Sequence, residues 1–393
     1  MAANSNNCGY AITVQNLFSE LGLAQTPPCK QSFSNARKKL SFEAFSFLLQ
    51  EANQEQQIED LWHGHVVRIL DGSKINLPSS KELRAHFARP NSKAGPAHYP
   101  QALIVTALNS FSGQPVAVEM GCYKKSNERD LALRLMNNFN DGDLSLLDRG
   151  LGGKRVYLQY YKHNQFFIHR ERTFGSTAPL YIQDFIKAKK RQTLTAVDVE
   201  DDDGEIISIL VRLVKGPIDS EGNRIVFVTN LLDEKEYASQ SIVELYKRRW
   251  GIETTYGRVK NLLNLELFHS RSLNGIKQEI YANLLILSLT ALIECQASKK
   301  CGLDRARAVP NFKAATHVVR RHLATIIGSH KLSQKEATLA AEKMIEEASR
   351  IIWRKQPGRN FPRVSMQSIN VWSLCKNRKL AAAAQSRRRR RQA

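Results

Sequence analysis

HVVRILDGS, residues 65–73, is an apolar run that ends on a carboxylate and a glycine. Two further short apolar runs follow it, QALIVTALNS at 101–110 and QPVAVEMGCY at 114–123, linked by the turn-rich SFSGQ. Runs of this length bounded by Gly, Pro, Ser and Asn predict an antiparallel strand meander. A helical stretch, NERDLALRLMNNF, comes next, and then LSLLDRG at 144–150. Three strands, a helix and another strand fit an α/β sheet whose fourth strand lies beside the first.

Two aspartates then stand out. Asp71 closes VVRILD and Asp148 closes LSLLD, each with glycine one or two residues on. Sheet proteins place working residues at such strand ends. Asp-Gly is also a common turn dipeptide, and for either aspartate alone the turn reading is the stronger. Two on different strands are harder to dismiss.

A third carboxylate lies in LYKRRWGIETTYGRVKNLL, residues 245–263. Read as an α-helix at about 100° per residue, this segment places Tyr246, Arg249, Glu253 and Lys260 within an arc of roughly 60°. Leu245, Ile252, Tyr256, Val259 and Leu263 form an adjoining apolar stripe, with Lys247, Arg248, Thr255 and Arg258 on the far side. Three carboxylates at one sheet edge would hold a pair of divalent cations through oxygen ligands, an arrangement suited to phosphodiester chemistry. Arg249 and Lys260 would hold phosphates while Glu253 holds metal, which explains a lone Glu among cations.

The charge balance agrees. With 58 Lys and Arg against 37 Asp and Glu, the formal charge is +21, an excess that favours a polyanionic partner. A membrane partner is disfavoured because the basic residues do not flank an apolar span, and IYANLLILSLTALI at 280–293 is too short to cross a bilayer, reading instead as a core helix. The N-terminus lacks the basic start and apolar run of a signal peptide, so a cytoplasmic protein is expected. Six cysteines without C-x-x-C spacing indicate neither a zinc site nor a disulfide frame. His63 and His65 lack a third ligand and read as structural, and EDDDGE at 200–205 reads as an exposed hairpin turn.

These three blocks together resemble the insertion-sequence-four family of DDE transposases. The spacing Y-x-x-R-x-x-x-E-x-x-x-x-x-x-K is filled by Tyr246, Arg249, Glu253 and Lys260; LDGSKINLP surrounds Asp71, and LLDRG surrounds Asp148. The likeness covers about residues 65 to 298, and FSNARKKL upstream is similar in character to the family's N-terminal module. Leu151 departs from it, since an aromatic residue is frequent there.

The resemblance implies a ribonuclease H-like α/β core interrupted by a β-rich insertion, with helical N- and C-terminal regions. Asp71, Asp148 and Glu253 would be the metal-binding catalytic triad, with Mg²⁺ as two divalent cations and Mn²⁺ as a substitute. Tyr246, Arg249 and Lys260 would contact DNA. The partners implied are double-stranded DNA, the inverted repeats at transposon ends, target DNA and a second copy, as a homodimer on paired ends in a bacterial, nucleoid-associated setting.

The domain reading follows: a helical DNA-binding module at 1–64, the first part of the core at 65–174, the insertion at 175–237, the second part at 238–298, and a basic helical region at 299–393 whose Arg-rich tail reads as disordered. Within the module, Arg37, Lys38 and Lys39 read equally as a DNA-binding patch or a solvated face. The expected activity is cut-and-paste transposition by strand cleavage and strand transfer. The alternatives are a nuclease on the same core without strand transfer and a non-catalytic DNA-binding relative.

Overall fold

The computed structural model describes residues 9–23, 25–53, 61–92, 95–175, 178–219, 221–251, 267–305, 307–328 and 333–355. Three short helices open the described residues: α1 (Tyr10–Glu20), α2 (Lys30–Lys39) and α3 (Glu43–Glu51). Strands β1 (Leu61–Trp62) and β2 (His65–Asn76) follow, then α4 (Lys81–His86) and the small pair β3 (Asn91–Ser92) and β4 (Gly95–Pro96). β5 (Gln101–Asn109) and β6 (Pro115–Cys122) complete the expected meander, each antiparallel to its predecessor across the β2–β5–β6 ladder.

Helix α5 (Glu128–Met136) then carries the chain back across the sheet. This crossover lets β7 (Leu144–Leu147) pair with β2 in parallel, Val67 with Leu144 through Leu70 with Leu147, as expected of the fourth strand. Helix α6 (Lys154–Lys162) makes the next crossover, and β8 (Phe166–Glu171) pairs in parallel with β7. β7 is buried along its whole length and β5 along all but its first residue, as in strands covered on both faces.

After α7 (Leu180–Lys187) the alternating runs form β9 (Gln192–Glu200), β10 (Ile206–Ile218) and β11 (Arg224–Thr229). β11 is antiparallel to β8, so these strands extend the same sheet. Its order is β6-β5-β2-β7-β8-β11-β10-β9, with β1 paired to β2. One face carries α5, α6 and α7, whose Leu131, Leu135, Tyr157, Tyr160, Ile182 and Phe185 share a buried cluster with Leu70, Val105 and Leu147. On the other face Val67, Ile69, Leu144 and Leu146 pack against α8 (Ser239–Tyr246) through Ile242, Leu245 and Tyr246.

The helix expected to continue to Leu263 changes at Tyr246. It tightens into a 3₁₀ turn over Lys247–Trp250 before Gly251, a weak helix former. A 3₁₀ turn advances about 120° per residue, so the arc calculated for one continuous α-helix does not carry across it. Glu253 and Lys260 lie outside the described residues, as does the Arg-rich tail.

The long helix α9 (Leu273–Lys300) is capped by Ser272, whose Oγ accepts the Gly275 N–H at 3.2 Å. It alone among the described helices is long and apolar enough to span a bilayer, yet two-thirds of its most apolar window is buried inside the fold, as expected of a core helix. It packs Ile276, Ile280, Leu284 and Leu287 against Ile75, Ile104 and Val118, and also against Leu49 of α3. The described residues end with β12 (Ala308–Pro310), α10 (Phe312–Gly328), α11 (Gln334–Ser349) and β13 (Ile352–Arg354); the last two helices pack on the end of α9.

Candidate active site

The parallel register of β2 and β7 sets the site. Leu70 faces Leu147 across the ladder, so Asp71 and Asp148 follow at the same level. Side chains alternate along a strand, and Val67, Ile69, Leu144 and Leu146 all point into the cluster beneath α8. Asp71 and Asp148 continue those two series and emerge on the same face.

Asp71 does not end its strand. β2 runs on to Asn76, and Gly72 sits within the ladder opposite Val105, so the turn reading of this Asp-Gly pair is wrong. Glycine fits closely there for a different reason: a Cβ on Gly72 would lie 2.5 Å from Cδ of Glu128, which would have to move aside. Glu128 opens α5, behind the cap in which Asn127 Oδ1 accepts the Asp130 N–H at 2.9 Å. Its carboxylate therefore reaches the edge that carries Asp71 from the opposite face of the sheet. The same carboxylate stands 3.8 Å from the position of a Cβ on Gly150. Sequence reasoning passed over Glu128 because an acid in a first helical turn is explained by the helix dipole alone.

After Asp148 the chain turns at once, with the Leu151 N–H donating to the Asp148 carbonyl at 2.9 Å. Leu151 is fully buried, so the departure noted at this position fills the core. Arg129 Nε donates to the Gly150 carbonyl at 2.9 Å and ties the turn to α5. Below it lies His169 of β8, so close that a Cβ on Gly152 would stand 2.2 Å from its ring. Tyr157 Oη bonds His169 Nδ1 at 2.6 Å and donates to Glu171 at 2.9 Å. Burial holds the His169 imidazole below its usual pKa, against the upward pull of Glu171.

Helix α8 and the 3₁₀ turn cover the aspartates. The Tyr246 phenol donates to the Leu147 carbonyl at 3.0 Å, on the peptide just before Asp148. Tyr246 is buried, and its hydroxyl is engaged with strand backbone. Arg249 is 6% exposed, and its Nε stands 3.9 Å from Asp148 Oδ1. The Asp148 side chain itself is 39% exposed, open to an incoming group.

The electrostatics suit a cation. Burial pushes Asp71 up to about 6; the Gly72 N–H, at 2.9 Å from its Oδ1, and the charge of Arg249 pull down, while Asp148 and Glu128 push up. Asp148 and Glu128 thus disfavour the ionised form of Asp71, and a divalent cation with a preference for oxygen donors would relieve that. Among the described residues no group of three His, Cys, Asp or Glu side chains is close enough to hold a metal. Of the three expected ligands, Asp71 and Asp148 are brought together here and Glu253 is outside the described residues.

Other features resolve as structural. His65 bonds the Gly142 carbonyl at 2.7 Å and the Tyr237 hydroxyl at 2.9 Å, and the Asp201–Glu205 hairpin is closed by its own backbone. Arg37 is committed internally: it donates to Gln278 at 2.9 Å, to the Gly275 carbonyl at 3.0 Å and to Glu279 at 2.7 Å. It therefore docks α2 on α9, while Lys38 and Lys39 remain exposed.

Residues 62–289, more than half of the chain, match the family described as Transposase DDE domain. The chain belongs to that family. Within the DDE transposases it is 24% identical over 235 residues to the transposase InsG for insertion sequence element IS4 of Escherichia coli (strain K12), 58% of this chain and 52% of that protein. This DDE-family chain thus spans about half the length of InsG. It is also 35% identical over 60 residues to the Escherichia coli transposase for insertion sequence element IS421, 15% of this chain and 16% of that protein. Among solved structures, the chain is similar to a piggyBac transposase in a synaptic complex with hairpin DNA, over 88% of this chain and 83% of that one, at 9% identity and a TM-score of 0.41.

Proposed function

We propose that this chain is a cut-and-paste transposase that cleaves DNA at the ends of an insertion sequence and joins them to target DNA. The observation that carries the reading is the parallel register of β2 and β7, which sets Asp71 and Asp148 side by side, in a chain of the DDE family. A strand order of three antiparallel strands with two parallel ones beside the first, β6-β5-β2-β7-β8, supports a ribonuclease H-like core at 65–174 and 238–298. Residues 175–237 are then an insertion that lengthens the sheet, 1–64 the DNA-binding module, and 299–393 a basic C-terminal region.

Asp71, Asp148 and Glu253 would hold two divalent cations, Mg²⁺ with Mn²⁺ as substitute. Such a pair supplies an activated water or 3′-hydroxyl and offsets charge on the leaving oxygen. Arg249, fixed beside Asp148, offers a guanidinium to the scissile phosphate, and Lys260 contributes a second cation. Tyr246 orients Asp148 through the Leu147 carbonyl, a role that replaces direct phosphate contact while that bond holds. Two ends must be brought together, so the working species is a homodimer on paired inverted repeats.

The test uses labelled end DNA taken from the inverted repeats that flank the coding sequence. The native chain should nick it with Mg²⁺, and Asp148→Ala should bind it with similar affinity but leave it intact. Mg²⁺-dependent nicking by Asp148→Ala would overturn the assignment. A pre-cut end with a free 3′-hydroxyl separates the second reading: joining to plasmid marks a transposase, and hydrolysis alone marks a nuclease.

A further inference from the structure

Arg248 and Arg249 are consecutive in the 3₁₀ turn and point in different directions. Arg249 goes to Asp148. Arg248 instead lies over the ring of Phe111, its Cζ 4.2 Å from the centroid, at the tip of the β5–β6 hairpin. A second guanidinium arrives from the segment after α9: Arg305 Nη1 donates to the Phe111 carbonyl at 3.2 Å. A third cation joins it, as Lys355 Nζ donates to the Arg305 carbonyl at 2.8 Å.

Such a cluster is normally offset by acids. Among the described residues no carboxylate pairs with Arg248, Arg305 or Lys355; nearby Asp304 stands 3.5 Å from Arg307. Burial lowers the pKa of Arg248, and the charge of Arg305 lowers it further. Like charges held in a partly desolvated place are relieved by an anion.

The platform is also rigid. Asn109 Oδ1 accepts the N–H groups of Phe111 and Ser112 at 2.8 and 3.0 Å, and Ser110 N–H donates to Val67 of β2 at 2.8 Å. A guanidinium stacked by its face on an aromatic ring keeps its N–H edge free for the paired oxygens of a phosphate.

We propose that Arg248 and Arg305, gathered at Phe111, and Lys355, bound to the Arg305 carbonyl, form a second phosphate-binding site that grips the DNA backbone beside the catalytic aspartates. This rests on the reading of the chain as a DNA-cutting enzyme. The hairpin tip lies just past the Arg68–Asn109 pair, three residues from Asp71 along β2. That separation is roughly 10 Å at about 3.3 Å per residue, or about three nucleotides of duplex at 3.4 Å each. A strand cut at Asp71 and Asp148 would be held a few nucleotides away, on a surface that reads no base.

The test is fluorescence anisotropy with the full chain and a fluorescein-labelled 30-base-pair duplex of random sequence, titrated at several NaCl concentrations. Each lost phosphate contact should lower the slope of log K against log [NaCl] by about 0.9. Arg248→Gln with Arg305→Gln should therefore reduce the slope by about 2, and Lys355→Gln alone by about 1, with thermal melting unchanged. Lys247→Gln is the control for general charge loss, because Lys247 is exposed and already paired with Glu244 at 2.7 Å; its slope should change by much less than one unit. A double variant with the native slope, or one matched by Lys247→Gln, overturns the inference. If the double variant melts early, the single Lys355→Gln slope decides. Failure of the native chain to bind the duplex at all would instead sink the DNA-cutting reading.

Discussion

Glu128 occupies the space that a β-carbon on Gly72 would take, so the residue after Asp71 packs directly on a carboxylate arriving from the opposite face of the sheet. Gly72→Ala should fold, because the end of the Glu128 side chain can swing aside, at a cost of about 1–3 kcal/mol. Nicking should fall with it. Glu128→Ala combined with Gly72→Ala removes the clash, and the pair should nick no worse than Glu128→Ala alone. A double variant much weaker than Glu128→Ala would show that Gly72 acts through the strand backbone and not through Glu128.

Asp71 gives a stability prediction with a sign. Its folded-state pKa of about 6 lies above the ordinary 3.8, so the native state holds more protons between those values. Stability from this group is present below about pH 4 and is lost as pH rises through 6. In EDTA, Asp71→Asn should be more stable than the native chain at pH 8 by about 1–2 kcal/mol after solvent screening, and should lose that advantage at pH 4. Urea melts at the two pH values measure it. An advantage that is equal at both would mean that burial of the charge is not its source.

Arg37 and Glu279 form a buried pair, 13% and 6% exposed. Burial drives the Glu279 carboxyl upward, but hydrogen bonding to His269 and the charge of Arg37 outweigh it and hold the pKa below the usual carboxylate range. The stability it contributes is present above the ordinary carboxylate value of 4.5 and disappears as pH falls through the lowered folded-state value. Arg37→Ala at pH 7 should cost about 3–5 kcal/mol by stranding Glu279, and Arg37→Ala with Glu279→Gln should cost less. Lys38→Ala should be near neutral in the same melts. Equal effects at Arg37 and Lys38 would return Arg37 to the DNA-binding patch.

Arg249 tests the order of steps. If it is offered to the phosphate from its place beside Asp148, as proposed, it should matter most when the nicked strand attacks its partner. Arg249→Ala should slow hairpin formation or joining by about tenfold, or 1.4 kcal/mol, while slowing first-strand nicking distinctly less. A time course that resolves nicked, hairpin and double-strand-break products reads both steps. Equal slowing would reduce Arg249 to an electrostatic partner of Asp148.

Much of this was legible in the chain because it rests on local pattern. The apolar runs at 65–70 and 144–147 became neighbouring strands, and the aspartates ending those runs share a face. What escaped was set by contacts distant in sequence. The Arg37–Glu279 pair joins residues 242 positions apart, so nothing near Arg37 separates it from Lys38. Gly72 looked like a turn because the residue packed on it, Glu128, stands on another element. The 3₁₀ turn at 247–250, from which Arg248 reaches Phe111 and Arg249 reaches Asp148, is likewise met by partners far away in sequence, which no periodicity encodes.

The β2–β7 register also sets a schedule. A growing chain contains Asp71 long before β7 exists to pair with its strand, and the proposed third carboxylate, Glu253, is made 105 residues after Asp148. At about 5–20 residues per second, a translating ribosome inserts an interval of roughly 5–20 s between the meeting of the two aspartates and the arrival of the glutamate. On the proposed reading, a chain released before Glu253 would carry cationic surface without its third metal ligand, and prematurely terminated products would compete for DNA as inert occupants.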